Sequence, residues 1–231
     1  MTMNDHRMTM NDHRITMNNN RITKKISPMK IICIGRNYRE HAKELNNAVP
    51  EKPVFFMKPD TALLKDNKPF YYPDFSKEVH YETEIVLKIH RNGKHIEEKF
   101  AHKYYEEIGI GIDFTARDLQ TEQKKKGLPW EIAKAFDGAA PIGRFVNKNN
   151  FPDINDLNFS LKINGELRQQ GHTADMMFSF DHIITYVSQF VSLKTGDLIF
   201  TGTPSGVGPT KINDHFEAFI EGEKLLDFYV K

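Results

Sequence analysis

Apolar and polar residues alternate along this chain in short segments, at 30–35, 54–57, 79–89, 108–114, 159–163, 197–201, 216–220 and 225–230. Alternation with a period of two is the mark of strands with distinct faces. Glycine, proline and the pairs Asn92-Gly93 and Asn164-Gly165 bound these segments, and such pairs predict tight hairpins. Helical spacing is rarer. It predicts helices over 38–45, over 115–126 before Gly127, and over 180–191, where Ile183, Ile184, Val187 and Val191 form an apolar stripe. Strands are not interleaved one for one with helices, so the pattern argues against a Rossmann or barrel arrangement and for a single β-rich α+β domain.

The first 28 residues do not share this pattern. MTMNDHR occurs twice in tandem and then decays, with apolar positions two apart rather than at coiled-coil spacing and without an apolar secretory core. This leader is expected to lie outside the fold, with the domain running over 29–231 and Met29 as its natural start. The leader carries a net charge of +3, so the overall +1 divides into that excess and a body at −2. Such a body lacks the basic surplus that phosphate neutralisation needs, and nucleic acid is not expected as a partner. No apolar run approaches the ~18 residues of a membrane-spanning helix, so no membrane partner is expected. The single cysteine, Cys33, cannot form an internal disulfide, and a reducing, cytoplasmic location is the expectation.

Candidate chemistry lies first in His80-Tyr81-Glu82-Thr83-Glu84. On a strand His80, Glu82 and Glu84 share a face, with the carboxylates about 7 Å apart, close enough to converge on a cation or merely to face solvent. Asp113 ends the glycine-spaced strand at 108–114, where it either adds a third ligand or caps the helix that follows from Thr115. Three oxygen ligands without sulfur favour Mg²⁺, Mn²⁺ or Ca²⁺. Lys134 sits in a largely apolar stretch, either turned outward or placed to neutralise an oxyanion. His41 and Glu44, three apart on a predicted helix, form either a surface pair or a general base with its orienting carboxylate. The loop Thr201 to Pro209 lacks the lysine of a nucleotide-binding P-loop, although its amides and threonines suit a substrate carboxylate.

Taken in order, GRNY, HYETE, DFTARDLQ, KKKGLPW, NGELRQ and TGTPSGVGP resemble the fumarylacetoacetate hydrolase family, closest to its single-domain acylpyruvase and oxaloacetate decarboxylase branch. The resemblance spans nearly all of 29–231. It implies a β-rich roll of mixed sheets, a homodimer, and Mg²⁺ or Mn²⁺ held by Glu82, Glu84 and Asp113. It also implies a water-activating dyad of His41 and Glu44, a catalytic Lys134, and substrate contacts from Arg117, Gln120 and Thr203. The expected activity is metal-dependent hydrolysis of a carbon–carbon bond in an acylpyruvate-type oxo-acid, with decarboxylation or tautomerisation of oxaloacetate at the same site. Isomerisation or decarboxylation of hydroxymuconate-like dienoates is the alternative within the fold. A non-catalytic metal-binding protein is the alternative outside that class.

Overall fold

A computed structural model describes residues 30–44 and 49–231. The leader expected at 1–28 and residue 45 of the first predicted helix lie outside the described residues. In chain order the chain forms β1 (Ile31–Gly35), α1 (Arg39–Glu44), β2 (Val54–Lys58), β3 (Leu63–Leu64), β4 (Val79–Tyr81), β5 (Thr83–Ile89), α2 (Glu98–Ala101), β6 (Tyr105–Ile112) and β7 (Thr115–Ala116). Then follow α3 (Arg117–Lys126), α4 (Glu131–Lys134), β8 (Ala140–Pro141), β9 (Val146–Asn147), β10 (Asn158–Ile163) and β11 (Glu166–His172). The last elements are α5 (Phe180–Phe190), β12 (Leu198–Phe200), β13 (Gly208–Pro209), β14 (His215–Ile220) and β15 (Glu223–Tyr229).

A six-stranded sheet in the order β2-β1-β12-β5-β6-β9 carries the site, and a four-stranded sheet, β11-β10-β14-β15, packs against it. The larger sheet is mixed: β1 runs parallel to β12 and antiparallel to β2. Smaller sheets, β13-β4-β7 and β3-β8, close the edges. Between the layers Phe70 stacks on Phe114 at 4.1 Å and Phe216 on Phe228 at 5.0 Å, all four buried. Full burial of such rings contributes about 1.5–3 kcal/mol each, and this cluster lies directly behind Asp113.

Several local expectations need correction. The pair Asn92-Gly93 does not close a tight hairpin: Gly93 bridges to Leu193, and α2 intervenes before β6. Asn164-Gly165 does turn β10 into β11, with φ of 55° and 80°. The segment 79–89 is not one strand but two, broken at Glu82, with β4 and β5 in different sheets. Thr115 does not start a helix. It pairs with His80 across β4 and β7, and α3 begins at Arg117 without a side-chain cap.

Candidate active site

Strand register builds the carboxylate cluster. In the β5–β6 ladder Thr83 pairs with Ile112 and Glu84 with Gly111, so Glu82 and Asp113 emerge side by side where the ladder ends. The Asp113 amide donates to the Glu82 carbonyl at 2.8 Å and locks that junction. Glycine is required at 111, because a Cβ there would lie 2.7 Å from the Phe200 ring and 3.0 Å from the Pro141 carbonyl. Glu82, Glu84 and Asp113 then bring ligand oxygens within 4.8 Å of one another, at exposures of only 7%, 2% and 1%. The solvated-face reading of the glutamates and the capping reading of Asp113 both give way to this burial. His80 does not join them, since β4 leaves for another sheet and His80 does not line the cavity.

Buried cations face the cluster. Lys134, on the single turn of α4, is 2% exposed and turned inward, with Nζ 2.9 Å from both Glu82 Oε2 and Asp113 Oδ2. Arg117, at the first position of α3, reaches Glu82 Oε1 at 2.6 Å and Gln120 Oε1 at 2.7 Å. Thr115 Oγ1 adds a hydrogen bond to Glu82 Oε1 at 3.2 Å. Lys58, which the sequence reading passed over, ends β2 with Nζ 2.6 Å from Asp113 Oδ1, and it donates to the carbonyls of Phe114 and Ala139. Its only signal in the sequence is a charge closing the apolar run Val54-Phe55-Phe56-Met57.

These charges separate the acids. Burial raises the Glu82 pKa, but Lys134, Arg117 and His41 reverse that and hold its carboxyl well below the usual range. Among the described residues Glu84 forms no ion pair, and Lys134 offsets its shift only weakly. Burial, Asp113 and Glu82 push its carboxyl well upward, and the Gly202 amide donates to it at 2.7 Å. Burial opposes charge on Lys134 too, yet Asp113 and Glu82 raise its pKa overall. A divalent cation fits this set: the donors are hard oxygens, and Lys58 approaches Asp113 Oδ1 off the hydrogen-bonding direction, leaving that buried oxygen without a hydrogen bond.

Two amides of the loop 201–209, whose amides and threonines the sequence suggested for a substrate carboxylate, serve protein carboxylates instead. Gly202 N serves Glu84, and Gly206 N reaches Glu44 Oε1 at 3.0 Å. Glu44 Oε2 in turn lies 3.1 Å from Nδ1 of His41, which is only 5% exposed, so the pair is not a surface ornament. Gln169, from NGELRQ, holds the loop in place: it receives the Thr83 amide at 3.0 Å and donates to Thr203 Oγ1 at 2.9 Å and the Pro204 carbonyl at 3.0 Å. Asn37, from GRNY, ties β1 to the same loop through the Thr201 carbonyl at 2.8 Å. Neither residue was singled out from the sequence.

One cavity of about 40 Å³, room for a few waters, joins these groups. His41, Glu82, Glu84, Asp113, Arg117, Gln120, Lys134 and Thr203 all line it, together with Arg36, Phe56, Lys124 and Trp130. Glu44 reaches it only through His41. The arrangement can bind a hard cation, stabilise negative charge on a ligand oxygen and move a proton through an imidazole.

Comparison with known proteins points the same way. A sequence profile described as fumarylacetoacetate (FAA) hydrolase C-terminal matches residues 30–227. The mouse protein named oxaloacetate tautomerase FAHD1, mitochondrial, is 46% identical over 201 residues, covering 87% of this chain and 91% of that protein. Oxaloacetate tautomerase YcgM of Escherichia coli K12 is 42% identical over 197 residues, covering 85% and 90%. Among solved structures, fumarylpyruvate hydrolase from Pseudomonas aeruginosa, in complex with Mn²⁺ and pyruvate, superposes with a TM-score of 0.83 at 35% identity, covering 88% of this chain and 89% of that one.

Proposed function

The chain belongs to the fumarylacetoacetate hydrolase family, and from that premise we propose that it is a divalent-metal-dependent enzyme that takes a 2-oxo acid through its enolate, with keto–enol tautomerisation of oxaloacetate as its reaction. The observation that carries this reading is the meeting of Glu82, Glu84 and Asp113 with the buried Lys134 ammonium in one cavity. Mg²⁺ or Mn²⁺ held by those carboxylates would supply Lewis acidity toward the carboxylate and 2-oxo oxygens of the substrate and so acidify the adjacent C3–H.

The protein's own groups then do the following. Glu44 engages Nδ1 of His41, fixes the tautomer and leaves Nε2 as the basic nitrogen. His41 removes a C3 proton, the C–H electron pair becomes the C2–C3 double bond, and negative charge moves to the 2-oxo oxygen. Lys134 stabilises that oxygen through its ammonium, and transfer of the proton held on His41 to the enolate oxygen, through solvent, completes the enol and restores the neutral imidazole. Arg117 and Gln120, joined to each other, and Thr203, held by Gln169, orient the carboxylate end.

The order of activities differs from the sequence expectation, which placed carbon–carbon hydrolysis first. Relatives named oxaloacetate tautomerases at 46% and 42% identity support the tautomerase reading, whereas a fumarylpyruvate hydrolase stands at 35%. Hydrolysis of acylpyruvates is the second reading, favoured by the pairing of buried His41 with Glu44, which is equally suited to deprotonate water. The test is to follow ultraviolet absorbance of the oxaloacetate enol with metal-loaded protein, beside acetylpyruvate and a hydroxymuconate-type dienoate. Acceleration of oxaloacetate interconversion beyond that of free metal supports the reading. Turnover of acetylpyruvate or the dienoate alone overturns it.

A further inference from the structure

Basic side chains outnumber acids on the wall of the cavity. Inside, Glu82, Glu84 and Asp113 face Lys58, Arg117 and Lys134. Two more cations, Arg36 and Lys124, line the same cavity, and among the described residues no carboxylate pairs with either. A divalent cation on the acids would make this wall more positive still. The space therefore suits a ligand with more than one negative charge.

Both residues are placed rather than incidental. Arg36 adopts φ of 60°, a left-handed conformation that costs a non-glycine residue about 1 kcal/mol or more and persists only where the surroundings impose it. Here Asn37 imposes it, bonding the Phe178 carbonyl at 3.0 Å, the Phe178 amide at 2.8 Å and the Thr201 carbonyl at 2.8 Å. Lys124 falls on the same face of α3 as Arg117 and Gln120, at helical spacing, and all three line the cavity. Its ammonium lies 5.4 Å from the centre of the Trp130 ring, another residue of the cavity wall. Partial burial, then Arg117 and Arg36, lowers its pKa, outweighing the opposing pull of Glu82.

We propose that Arg36 and Lys124 form a specificity-determining clamp for the distal carboxylate of a 2-oxo dicarboxylate, so that the site selects a four-carbon diacid over an acylpyruvate ending in an apolar group. The proposal rests on the 2-oxo acid reading for the other end of the substrate. Arg117, Gln120 and Thr203 hold that first carboxylate, and the clamp measures the distance to the second.

Malate and lactate provide the test. Both are 2-hydroxy acids without an enolisable ketone, and they differ only in the distal carboxylate. Their dissociation constants are measured by calorimetry with the full-length, Mg²⁺-loaded protein. Malate is expected to bind at least about tenfold more tightly than lactate, the scale of a charge-assisted pair. Lys124→Met, at an exposed helical position, and Arg36→Gln each shrink that ratio by about tenfold, and Lys124→Arg restores most of it. A ratio near unity in the wild type, or an equal loss for both ligands in the variants, overturns the clamp. Discrimination without any oxaloacetate enolisation leaves the clamp standing and refutes the proposed reaction; enolisation without discrimination refutes the clamp alone.

Discussion

Replacing Lys134 with methionine keeps the length of the side chain and removes the ammonium 2.9 Å from both Glu82 Oε2 and Asp113 Oδ2. Breaking a buried ion pair by deleting one partner costs about 3–5 kcal/mol, because the remaining charge stays buried. The low end applies here, since Arg117 still pairs with Glu82 and Lys58 with Asp113. At about 2–4 °C per kcal/mol for a domain of this size, the metal-free variant should melt about 6–12 °C below the wild type. Mg²⁺ supplies the missing positive charge, so the metal-induced rise in Tm should be larger in the variant. The difference also has a defined pH range. Lys134 has a raised pKa, so its contribution is present below the ordinary lysine value and is lost as pH rises through the raised one. Glu82 has a depressed pKa, so its share is present above the ordinary carboxylate value and is lost as pH falls through the depressed one. The gap between the two proteins should therefore hold through neutrality and close at both extremes. Scanning calorimetry in EDTA and in Mg²⁺ measures it. A metal-free variant melting within about 2 °C of the wild type would show that Lys134 does not neutralise the cluster.

His41→Ala should lower oxaloacetate enolisation by about two to four orders of magnitude with little change in metal affinity, measured by enol absorbance and metal titration. Unchanged turnover would remove His41 from proton transfer. Gly202→Ala would place a Cβ 2.6 Å from Asn37 Cβ at a φ of 105°, and should cost about 1–3 kcal/mol by thermal melting. Because the Gly202 amide also holds Glu84, metal affinity should fall with stability; a variant that loses neither would show that the loop does not position the ligand.

Much of the site was legible because it is local in sequence. Glu82 and Glu84 stand two apart on an extended segment, and His41 and Glu44 three apart on a helix, so short-range periodicity alone places each pair on one face. What converts each pair from surface feature to buried site is long-range. The break at Glu82 is invisible in an alternation that continues through it; it arises where Thr83 N turns to Gln169 and Asp113 N to the Glu82 carbonyl. Lys58 reads as an ordinary strand-end lysine. Its burial depends on carbonyls 56 and 81 residues away in the chain. Thr115 reads as a helix cap because Thr-Ala-Arg-Asp has the right composition, but pairing with β4 claims its backbone and Glu82 its hydroxyl. The fold class followed from the dominance of short alternating segments, while strand order, with β12 inserted between β1 and β5, is set by packing that no local pattern records.

Glu82, Glu84 and Asp113 are proposed to hold one divalent cation. Calorimetric titration of Mg²⁺ or Mn²⁺ into EDTA-treated, dialysed protein tests it most directly, with Glu84→Gln as the comparison because Glu84 is the ligand not already paired with a lysine or arginine. Binding should saturate at one ion per chain and weaken at least about tenfold in Glu84→Gln. Absence of saturable binding in the wild type, or equal affinity in the variant, would contradict it.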